Sequence, residues 1–61
     1  MIVSALKKKL EAEVELAKSD LQVFLTNPIG VAEHIDYVET AEKMLDILAT
    51  AKDKLDALKT I

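Results

Sequence analysis

The chain has 61 residues, with 8 lysines, no arginine, 11 acidic residues and one histidine, for a formal net charge of −3. That length allows one small domain at most, and the absence of cysteine excludes a disulfide frame, a thiolate metal site and a cysteine nucleophile. A single glycine excludes a glycine-rich phosphate loop, and a negative chain without arginine, whose only aromatics are one Phe and one Tyr, is unsuited to nucleic acid.

The first predicted helix covers about residues 2–26, a stretch of good to moderate helix formers. Val3, Lys7, Leu10, Val14, Ala17, Leu21 and Phe24 recur at alternating steps of four and three. Such steps average 3.5 residues, the period of a coiled-coil seam; only Lys7 breaks its apolar character. A second stripe, Ile2, Ala5, Ala12, Leu16 and Val23, lies well over ~100° away around the helix. Glu11, Glu13 and Glu15 are two apart and splay around the helix instead of converging. A carboxylate-bridged metal bundle uses inward Glu-x-x-His motifs; none occurs, and no acid occupies the seam. Residues 1–6 are too short for the apolar core of a secretory leader, and the lysines follow them. The longest uncharged run, residues 21–32, contains Pro28 and Gly30 and falls short of the ~20 residues that span a bilayer. A soluble, cytoplasmic protein without a membrane partner is expected.

The loop covers residues 27–35. Asn27-Pro28-Ile29-Gly30 suits a type I turn, and the residue before proline resists helical angles, which stops the first helix near residue 25 or 26. A hairpin connection needs only ~2–5 residues, so this loop is long. It holds Ile29, Val31 and Ile35, which either cap the end of the core or, with polar neighbours, form a docking surface. The candidate docking residues are Ile29, Val31, Glu33, His34 and Asp36. His34 is the one side chain titrating near neutrality when unperturbed. With Glu33 and Asp36 it makes a minimal ligand set, short of a defined three-ligand geometry. Hydrogen bonding at the start of the second helix, or plain exposure to solvent, is the simpler role. No catalytic residue, cofactor or metal ligand is assigned, and no enzymatic activity is expected, because a packed seam offers no pocket with a perturbed acid–base pair.

The second predicted helix covers about residues 36–60. Asp36-Tyr37-Val38-Glu39 has the spacing of a capping box, and Lys52, Lys54 and Lys59 lie toward the end where the helix dipole favours cations. Tyr37, Ala41, Met44, Leu48, Ala51, Leu55 and Leu58 repeat the alternation of fours and threes. Val38 and Leu45 flank this seam on one side and Ile47 on the other.

Two such helices in sequence predict an all-α, coiled-coil-like antiparallel hairpin. Pairing outward from the loop joins Phe24 with Tyr37, Leu21 with Ala41, Ala17 with Met44 and Val14 with Leu48, then Leu10 with Ala51, Lys7 with Leu55 and Val3 with Leu58. A chain this short buries only ~60% of its unfolded surface and usually needs a staple. With no disulfide, a partner chain is the remaining one. Ile2, Leu16, Val23, Val38 and Leu45 are therefore the expected self-association residues, joining two hairpins into a C2 four-helix bundle. Residues 16–46 carry two lysines against six acids, a net of −4, while the rest of the chain is +1. The loop pole is acidic and the opposite pole mildly basic.

Between its two amphipathic helices, Asn27-Pro28-Ile29-Gly30-Val31-Ala32-Glu33-His34 resembles a pattern in small uncharacterised helical-hairpin proteins of tailed bacteriophages. Their loop reads roughly Asn-Pro-Val-Gly-Ile-Gly-Glu-His, followed by an acid. This chain departs from it with Ala32 in place of Gly and Ile35 in place of Pro or Ser. The resemblance implies a phage accessory protein acting in the host cytoplasm; it carries no activity and transfers no functional residue. The expected function is that of a non-enzymatic interaction protein, a homodimer whose acidic loop pole docks a host or viral protein. One alternative is a modulator that packs a helix into a groove of a host protein; another is metal binding through His34.

Overall fold

The computed structural model describes residues 1–26 and 36–61. The predicted turn at residues 27–30, and with it Ile29, Val31, Glu33 and His34, lies outside the described residues. Two helices make up the fold: α1, Ile2–Thr26, and α2, Tyr37–Leu58. Among the described residues there is no strand.

Helix α1 contains no Gly or Pro across its 25 residues, so nothing interrupts its hydrogen-bond ladder. At its end the Thr26 hydroxyl donates to the Gln22 carbonyl at 2.8 Å, satisfying one of the acceptors a helix terminus leaves open. Helix α2 begins at a cap. Asp36 has extended backbone angles (φ −74°, ψ 103°), and its carboxylate accepts from the backbone N–H of Val38 at 3.0 Å and of Glu39 at 3.1 Å. Two orphan donors are thereby paired. The Glu39 carboxylate faces Lys43 at 3.4 Å, one turn further on.

The other end of α2 comes at Leu58, the last position of its apolar period. Thr60 N–H donates to Ala57 at 3.1 Å and Ile61 N–H to Leu58 at 3.2 Å, so the last residues tighten into i→i+3 turns. Lys59 becomes the C-cap, and the final helical turn carries no basic residue.

The packing follows the seam. Leu10, Ala17 and Ala51 are buried, and Val14, Leu21, Phe24, Ala41, Met44, Leu48, Leu55 and Leu58 are half-buried. All eleven are seam positions. Tyr37, also on the seam, is exposed, yet its ring meets Phe24 with centroids 6.2 Å apart and planes inclined by 54°, a favourable tilted geometry. At the opposite pole, Leu6 and Leu10 line a hollow with Leu58 and Ile61. Residue numbers therefore fall along one helix as they rise along the other, and the hairpin is antiparallel.

Two helices make a core one seam thick. Small Ala17 and Ala51 vanish between them, whereas most of the larger seam side chains keep a solvent-facing edge. The result is a rod of 46 × 15 × 14 Å. Among the described residues, no helix is long and apolar enough to cross a membrane.

Candidate association surface

Residues seven apart return to nearly the same face of a helix, about 20° short of two full turns. Leu6, Glu13 and Asp20 therefore flank the α1 seam on one side. Ile47, Lys54 and, just past the helix end, Ile61 flank the α2 seam. In the antiparallel hairpin these two flanks adjoin and enclose a trough. Toward the loop, its walls are Leu16, Ile47 and the exposed Thr50 and its floor is the buried Ala17 and Ala51, with Asp20 and Asp46 at the rim. Toward the termini, Leu6, Leu10, Ala57, Leu58 and Ile61 continue it, with Lys9 at the rim. Glu13 and Lys54 line both parts, so the two hollows run in line along one side of the rod.

The charges of the trough are ordered. Lys9 Nζ donates to Glu13 Oε1 at 2.8 Å. That hydrogen bond, and then the Lys9 charge itself, holds the Glu13 carboxyl below its ordinary 4.5; slight desolvation opposes the effect and Lys54, across the trough, reinforces it. Both partners of this ion pair are solvent-exposed, so its worth is small. A trough with a small-residue floor, bulky apolar walls and a charged rim has the anatomy of an association surface. Among the described residues, no group of three His, Cys, Asp or Glu side chains is placed to hold a metal.

All five expected self-association residues are exposed: Ile2 at 83%, Val38 at 80%, and Leu16, Val23 and Leu45 between those values and half. Ile2, Leu16 and Val23 differ by multiples of seven and share one side, and Leu16 walls the trough. Val38 and Leu45 lie across the seam, since Leu45 is about 200° around α2 from Ile47. The five thus divide between two sides of the rod. On the side of Val38 and Leu45, the same seven-residue step brings up Lys52 and Lys59.

Leu6, Ile47 and Ile61 complete the trough and were absent from the expected set. The signal was present as a second seven-residue series beside each seam. Of the candidate docking residues, only Asp36 is among those described, and its carboxylate is engaged as the α2 cap.

The architecture defines an all-α helical hairpin. No family model, curated protein or solved structure matches the chain.

Proposed function

We propose that this chain is a non-enzymatic interaction protein that self-associates through its apolar helix sides. Its acidic loop pole then contacts a host or viral protein. One observation carries the reading: among the described residues only Leu10, Ala17 and Ala51 are buried, while Ile2, Leu16, Val23, Val38, Leu45 and Ile47 are each more than half exposed. Burying a Leu, Ile or Val side chain contributes about 1.5–3 kcal/mol, a large amount beside the ~5–15 kcal/mol that separates folded from unfolded small domains. A second copy is the simplest cover, because an isologous C2 contact uses one surface twice.

Light scattering coupled to gel filtration, over a dilution series, tests this reading. The expected mass is twice that of the chain. A monomer with full, cooperatively melting helicity at every concentration would overturn it. For the loop pole, a variant with Glu33→Ala, His34→Ala and Asp36→Asn keeps a capping side chain on α2 while removing charge. It should remain dimeric and lose capture of the partner; undiminished capture would refute docking at that pole.

A further inference from the structure

We infer that a second copy of this chain covers the trough side, with its loop pole laid against the first copy's terminal pole. The inference rests on the self-association proposed above and specifies the surface and the orientation.

The surface follows from area. The chain exposes 4977 Å², so one of the four sides of the rod exposes roughly 1,200 Å², and a standard stable interface takes about 800 Å² from each partner. A contact over half of one side therefore falls short, and the covering copy uses most of its length. The trough side carries exposed apolar residues along its whole length, from Ile2 and Leu6 through Leu16 and Ile47 to Val23, and the charges in its middle come in opposite signs, Glu13 beside Lys9 and Lys54. The other side offers Leu25, Val38 and Leu45 near the loop and Lys52 and Lys59 beyond them. Covering its far half would bury little apolar surface, and the core of an interface is its apolar part.

The orientation follows from charge. Asp20 and Asp46 rim the loop-ward part of the trough, and Lys9 rims the terminal part. If two copies met with loops side by side, a twofold axis along the rod would set each rim charge level with its own counterpart, Asp20 with Asp20 and Asp46 with Asp46. With the axis across the middle of the rod, Asp20 lies six residues from the midpoint of α1. It then faces the level of Lys9 and Lys54 on the second copy. Opposite charges across an interface fix the relative placement of partners in this way, and like charges oppose the alternative.

Charge and apolar substitutions at exposed positions test both parts by the same readout, the dimer dissociation constant. Ile47→Asp should abolish the dimer and Leu45→Asp should leave it; the reverse result would place the interface on the other side and overturn the inference while leaving self-association intact. Asp20→Lys, acting twice per symmetric dimer, should raise the dissociation constant by about two- to thirtyfold, and adding Lys54→Asp should restore it. Tightening by Asp20→Lys would mean that loops lie side by side, and no change would mean that Asp20 faces no charge; either overturns the orientation. A wild-type chain that stays monomeric would instead remove the earlier reading itself. Circular dichroism on each variant shows that the helices persist.

Discussion

Replacing Leu16 by alanine separates a hairpin that is complete alone from one completed by a second copy. Leu16 is 64% exposed, so the single hairpin buries about a third of it. Full burial of such a side chain is worth about 1.5–3 kcal/mol. The hairpin therefore holds roughly 0.5–1 kcal/mol of that contribution, and association holds the remaining ~1–2 kcal/mol. A C2 dimer contains the residue twice, giving about 2–4 kcal/mol per dimer, which is a rise of about 30- to 700-fold in the dissociation constant. Helix propensity does not confuse the result, because alanine is at least as good a helix former as leucine. Sedimentation equilibrium over a dilution series measures the dissociation constant, and the circular dichroism signal of the dilute hairpin serves as the internal control. An unchanged dissociation constant, or helicity lost without any change in association, refutes the reasoning.

Leu10→Ala removes the one large buried side chain among the described residues and should cost about 2–3 kcal/mol in urea unfolding at fixed protein concentration. That is the lower part of the usual range, because the hollow beside Leu10 opens to solvent and can relax. Asp36→Ala deprives two N–H groups of α2 of their acceptor and should destabilise by about 1 kcal/mol, with Asp36→Asn retaining most of the cap; both are read from urea midpoints. The Glu13 carboxyl titrates below 4.5 in the folded chain. The unfolded chain therefore binds this proton first, and the pair's contribution is present above pH 4.5 and lost as pH falls through the lower folded value. An NMR titration should show Glu13 moving back toward 4.5 in a Lys9→Gln variant and in high salt; an unshifted wild-type titration would contradict the ion pair.

Much of the hairpin was legible in the order of its residues. Alternating steps of three and four select fourteen positions, eleven of which the structure buries or half-buries, because that spacing keeps one stripe facing the neighbouring helix. Phe24 and Tyr37, placed together by counting outward from the loop, have their rings in contact. Asp36 was readable as a cap, since a short carboxylate before a helical run has few other uses for its acceptors. The end of α2 was less legible. No glycine or proline marks it, and the chain tightens into i→i+3 turns at Lys59 with no sequence signal of the usual C-cap kind. The trough was the least legible feature. Leu6, Ile47 and Ile61 form one surface only because two particular flanks adjoin when the rods pack, and a stripe drawn on either helix alone does not reveal which flanks those are.

Lys7 gives the rod a direction of weakness. Its side chain is exposed on the seam, and the next position outward, Val3, is also largely exposed, whereas Leu10 and Ala17 inward of it are buried. A long cation stem can lie along apolar surface only while its head reaches water, so the layer it shares with Leu55 cannot dry out. Cohesion between the helices therefore falls from the buried stretch at Leu10, Ala17 and Ala51 toward the chain ends. A separation that starts at those ends frees the first two turns of α1 before it reaches the layers of Leu10 and Ala17.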